Sequence, residues 1–179
     1  MGATRKPRKR YVPKRVETDP VEAAIAQAGL LSPGQRQELG GPVQRAFERA
    51  RQGTGGWPAW CELADGLNVA EQLALRGICS DRMPEIMAGQ RALQSLHHRH
   101  EERNSWTLRA EEITALQTGV DFHLIQLAHC TQGELRDAIF AVQRRVSQAL
   151  AGNASPSALV CVGALGKKRG GQVEQEAAT

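Results

Sequence analysis

Three histidines crowd one stretch of the chain: His97, His98 and His100 lie within HHRHEER, residues 97–103. Imidazole is the side chain that most often holds a transition metal or moves a proton near neutral pH, and His97 and His100, three apart, would share a helix face. Their neighbours argue for a different role. Arg99, Glu101, Glu102 and Arg103 make the stretch polar on all sides, and no cysteine or carboxylate stands at a diagnostic metal-ligand offset. The stretch therefore reads as a solvated helix end, where histidine complements the helix dipole. His129 and Cys130 adjoin each other, but adjacent residues do not face the same way on a helix, so they predict no nucleophile–base pair. Cys61, Cys79 and Cys130 read as structural thiols. This reading assigns no catalytic residue, no metal site and no cofactor.

Phosphate-binding loops fail on spacing. In GALGKK, residues 163–168, the position five before Gly166 is Cys161 rather than glycine. Lys167 is followed by Lys168 where a metal-binding hydroxyl belongs. Gly53-Thr54-Gly55-Gly56 lacks the third glycine of a dinucleotide loop and follows no strand. ELADGLNVAEQLALRG, residues 62–77, begins like a helix-turn-helix, but its apolar stripe runs through the supposed turn without changing phase. One continuous helix is expected there.

The most informative chemistry is electrostatic. RKPRKRYVPKRV, residues 5–16, carries Arg5, Lys6, Arg8, Lys9, Arg10, Lys14 and Arg15 around Tyr11, with no acid. Seven cations can neutralise phosphates, and a tyrosine among them can stack on a base. Nothing in the segment reads a base edge, so DNA or RNA would be held without sequence preference. The same composition also describes a solubilising leader. Residues 17–166 hold 13 basic and 17 acidic side chains, so the net charge of +4 and the pI near 9.1 belong to the arm, not the body. A like-charge block interrupted by Pro7 and Pro13 predicts a disordered arm over 1–16.

The elements behind these residues must come from 179 residues that are 41% hydrophobic but only 4% aromatic. That composition supports one domain with an aliphatic core and argues against an aromatic-rich β-sandwich. No apolar run approaches the roughly 20 residues of a membrane span, and the basic N-terminus lacks the apolar stretch of a secretory signal. A cytoplasmic chain with reduced cysteines is expected, with no membrane contact.

Helical punctuation runs throughout. Asp19-Pro20 and Ser32-Pro33 read as N-cap and first-turn pairs, with a stop near Gly29. Gly40-Gly41-Pro42 predicts an interruption before an apolar stripe of Val43, Ala46, Phe47 and Ala50. Gly53–Gly56 predicts a flexible joint. Further helices are expected from Pro58 to Arg76, from Pro84 to about Glu102, and from Leu108 to His129 with Thr107 as N-cap. Thr131 and Glu134 form a capping box opening a last helix that ends near Gly152. Leu124 and Ile139 stand mid-stripe and are expected to be buried. The expectation is an all-α bundle of five to seven helices over 17–152, between the basic arm at 1–16 and a disordered tail at 153–179. Within that tail SALVCVGALG, residues 157–166, fits a strand, a docking strip or coil.

The basic arm, WCELADGLNVAEQLALRGI (60–78), WTLRAEEITALQ (106–117) and DFHLIQLAHCT (121–131) follow one another in an order that resembles small helical accessory proteins of bacterial prophages and mobile elements. The resemblance covers roughly residues 5–146. It implies a non-enzymatic accessory protein and supplies no catalytic residues. Alternatively, the acidic body could present Glu101, Glu102, Glu111 and Glu112 to a host defence or regulatory protein.

Overall fold

The computed structural model describes residues 20–151, and the basic arm and the C-terminal stretch lie outside these. The described residues form an all-α bundle of six helices: α1 (Pro20–Ala28), α2 (Pro33–Arg51), α3 (Gly56–Leu75), α4 (Met83–Arg103), α5 (Ala110–His129) and α6 (Gln132–Leu150). Helix starts follow the side chains that satisfy orphan amides. Ser32 Oγ accepts from Gln35 N–H at 3.2 Å, while Gln35 Oε1 accepts from Ser32 N–H at 2.8 Å. Thr131 and Glu134 make the same reciprocal pair at the start of α6. Gln132 N–H also donates to Gly29 O at 3.0 Å, which pins the end of α1 to the start of α6.

α3 is the central helix. It packs against α2, α4, α5 and α6, and Trp60, Leu63, Leu67, Ala70 and Leu73 are sealed from solvent. Burial extends to its polar positions Asn68, Glu71 and Gln72, so nearly the whole circumference faces protein. The helix runs unbroken through Gly66–Val69, as the uninterrupted stripe requires, and there is no helix-turn-helix at 62–77. Gly66 serves packing instead, because a Cβ there would lie 2.9 Å from both Val43 methyls.

Four local expectations are corrected. Gly40-Gly41-Pro42 does not interrupt α2, which continues from Pro33 to Arg51. Gly40 and Gly41 are buried, and a Cβ on Gly40 would collide with Leu124 Cδ2. Close packing on α5 thus outweighs the roughly 3 kcal/mol that an interior proline costs. Second, Gly53–Gly56 is a tight turn between two helices that share one core. Gly53 and Gly56 adopt φ of 72° and 53°, and Ala46, Phe47 and Ala50 share one core with Ala59, Trp60 and Leu63 across it. Third, α5 starts at Ala110 rather than Leu108, because the Glu112 carboxylate accepts from Arg109 N–H at 2.8 Å and fixes the first turn there. Thr107 uses its carbonyl instead, accepting from Arg99 at 2.6 Å. Fourth, Leu124 and Ile139 are half-buried, and the sealed positions are their neighbours Leu127 and Ala138.

Candidate functional site

The nucleic-acid candidates Arg5, Lys6, Arg8, Lys9, Arg10, Tyr11, Lys14 and Arg15 all lie outside the described residues. What the structure does place is the body that carries them, together with the histidine, acidic and thiol candidates.

The three histidines near the end of α4 diverge. His98 faces solvent beside Glu102, 3.1 Å away. His97 turns inward against two indoles, with ring centroids 5.6 Å from Trp57 and 5.1 Å from Trp60. His100 stacks on Trp106 at 4.0 Å. Trp57 and Trp60 stack on each other at 4.9 Å, and Trp60 Nε1–H donates to Leu93 O at 2.9 Å. The stretch is therefore only partly a solvated helix end. Two of its imidazoles are packing groups in an aromatic cluster that gathers all three tryptophans of the chain. Among the described residues, no group of three or more His, Cys, Asp or Glu side chains is arranged to hold a metal ion.

The acidic quartet also divides. Glu101, Glu102 and Glu111 are exposed, while Glu112 is buried and paired with Arg99. Glu112 does two internal jobs, capping α5 and holding α4 against it, so it is withdrawn from any outward acidic face. Cys130 is fully buried, and burial together with the Glu134 carboxylate pushes its thiol up to about 11. A thiol so disfavoured as thiolate is a poor nucleophile, in keeping with a structural role. Cys61 is likewise buried.

Sequence patterning does not point to two further polar groups. The first is a network at the centre of the bundle. Gln90 of α4 donates to Glu71 Oε2 at 3.0 Å and to Asn68 Oδ1 at 3.3 Å, and Arg145 of α6 reaches both Glu71 oxygens at 3.1 and 3.3 Å. Each member satisfies another, so the network joins three helices and leaves the Glu71 charge compensated. The second is His123 on α5. It is 4% exposed, its Nδ1 is buried without a hydrogen-bond partner, and burial lowers its pKa to about 4. The imidazole is therefore neutral at physiological pH. It lies on the wall of an open cleft of about 260 Å³ shared by α2, α3, α5 and α6.

Part of the positive charge on the body is compensated within it. Arg51, Arg82, Arg99, Arg136 and Arg145 each pair with a carboxylate of the same body. No helix among the described residues is long and apolar enough to cross a membrane. The chain matches no protein-family model, and no curated protein or solved structure is significantly similar to it.

Proposed function

We propose that this protein is a non-enzymatic accessory protein in which a helical body displays a basic arm, residues 1–16, that holds nucleic acid through its phosphates. The observation that carries this reading is the segregation of charge: seven cations and no acid in the arm, against a body with four more acids than bases. The pairing of Arg51, Arg82, Arg99, Arg136 and Arg145 with body carboxylates supports it, because those five guanidinium groups are already engaged. Phosphate is drawn to this acid-free block of positive charge, and Tyr11 adds a stacking surface for an unpaired base. The resemblance of residues 5–146 to prophage and mobile-element accessory proteins supplies the biological setting.

Phosphate contacts carry no sequence information, so affinities for duplexes of unrelated sequence should agree within about threefold at one salt concentration. Fluorescence anisotropy with a panel of labelled DNA and RNA oligonucleotides tests this. A duplex preferred a hundredfold over the others would contradict phosphate-only recognition.

A further inference from the structure

The open cleft shared by α2, α3, α5 and α6 has aliphatic walls: Leu39 and Val43 from α2, Val69 from α3, and Leu135 and Ile139 from α6. Leu39 is 39% exposed, and Val69 and Ile139 are half-buried, so the cleft holds apolar surface against water. Covering such surface is favourable for any apolar group that can reach it. The sequence supplies one. No charged residue stands between Arg145 and Lys167, and SALVCVGALG, residues 157–166, falls in that interval, outside the described residues. The sizes agree. An apolar cavity of ~150 Å³ accepts the six carbons of benzene, so the cleft, at about 260 Å³, has room for about ten. That is the side-chain carbon of one leucine and two valines, and the run carries Leu159, Val160 and Val162.

We propose that residues 157–166 dock in this cleft of their own chain, with Leu159, Val160 and Val162 covering Leu39, Val43 and Ile139. The chain can make the return. Ile139 on the cleft and Leu150 at the end of α6 are eleven residues apart on one helix, about 16 Å. The seven residues from Leu150 to Ser157 span up to about 23 Å when extended, so the run starts within reach of the cleft. A short tether also holds the run at an effective concentration of about millimolar, which favours it over a separate partner. Charge fixes the direction. Lys167, Lys168 and Arg169 follow the run at once, and the cleft rim carries Glu38 and Glu62, both exposed and neither in an ion pair among the described residues. An uncharged apolar run ending in three cations thus meets an aliphatic cleft edged by two carboxylates. None of the arm residues takes part, so the docking stands or falls independently of nucleic-acid binding.

The test compares full-length chains, all altered outside the core. In methyl nuclear magnetic resonance spectra, Val160→Asp/Val162→Asp should shift the signals of Leu39, Val43 and Ile139. It should leave those of Met83 and Met87 on α4, which does not line the cleft, in place. The shifts should persist on dilution, because the docking is within one chain. Cys161, inside the run, reports the same event through its rate of alkylation by N-ethylmaleimide. Reversing the three cations (Lys167→Glu/Lys168→Glu/Arg169→Glu) should speed its alkylation at least about threefold, the scale of one or two exposed ion pairs. Adding Glu38→Lys/Glu62→Lys should slow it again. New carboxylates beside a thiol disfavour the reactive thiolate, so acceleration in the reversed chain reports uncovering rather than activation. Cleft methyls unmoved by Val160→Asp/Val162→Asp would overturn the proposal. So would shifts that vanish on dilution, which would make the occupant a second copy, or a Cys161 rate indifferent to reversal of the cations.

Discussion

Arg99 on α4 and Glu112 on α5 form an ion pair almost sealed from water, with side chains 13% and 7% exposed. The same arginine donates to Thr107 O, and the same carboxylate caps α5 through Arg109 N–H. Two side chains thus tie the end of α4 to the first turn of α5. Removing one partner strands a buried charge, so Glu112→Ala should cost about 3–5 kcal/mol. Arg99→Leu/Glu112→Leu together should cost less than the sum of the single changes. Urea unfolding of the three variants checks both statements, and additive losses would show that the pair is not coupled.

His123 predicts a pH dependence. Its folded pKa of about 4 lies below the ordinary value of 6.5, and the cause is burial. Above pH 6.5 both folded and unfolded chains carry a neutral imidazole, so no penalty exists. Between pH 6.5 and 4 the unfolded chain takes up a proton that the folded chain refuses, so stability falls, levelling off below pH 4. The full extent is about 3 kcal/mol at 1.36 kcal/mol per pH unit. His123→Gln lacks this titration. The stability difference between parent and variant should therefore shift by that amount in favour of the variant on going from pH 7 to pH 4. Carboxylates common to both, including Glu38 and Glu62, cancel in the comparison. A pH-independent difference would mean that His123 is not desolvated in solution.

A glycine crossing predicts a steric cost. A Cβ on Gly89 would lie 3.1 Å from Leu67 Cδ1 and 3.3 Å from Ala115 O, and one on Gly119 would lie 3.0 Å from Leu67 Cδ2. Leu67 is fully buried between them and has nowhere to retreat. Gly119→Val should destabilise by about 1–3 kcal/mol through overpacking. Differential scanning calorimetry would register this as a lowered Tm, and an unchanged Tm would show that α4 and α5 can part without penalty.

The helices and their capping boxes were legible because both are local: Ser32 meets Gln35 and Thr131 meets Glu134 three residues on, within reach of any reading of adjacent sequence. The rest depends on contacts between distant residues. Trp60 meets Leu93 across 33 positions, and Arg145 meets Glu71 across 74. Local spacing therefore carries no sign that Glu71 and Gln90 are buried and satisfied. Gly40-Gly41-Pro42 misled for the same reason, since only the presence of Leu124 shows what the small residues are for. His97 and His100 sit among polar neighbours in the sequence, and the indoles that cover them come from other segments. His123 had no local signal at all.

Core truncations should separate sealed from half-buried positions. Leu127, 1% exposed, should cost about 2–5 kcal/mol on replacement by alanine, whereas half-buried Ile139 should cost clearly less. Chemical denaturation of Leu127→Ala and Ile139→Ala decides the order. Equal losses would contradict the placement of the two side chains.

The central claim is that residues 1–16 carry the nucleic-acid contacts and the body does not. It is tested most directly by measuring the affinity of the full chain, and of a chain lacking residues 1–16, for one duplex DNA over a range of salt. With three to five of the seven cations on phosphate, log K for the full chain should fall with log salt at a slope of about −3 to −4.5. The truncated chain should melt within a degree or two of the parent, about the scatter expected when no packing is lost, yet bind at least a hundredfold more weakly. Equal affinity and equal salt slope for the two chains would place the contacts on the body, and the account of the arm would be wrong.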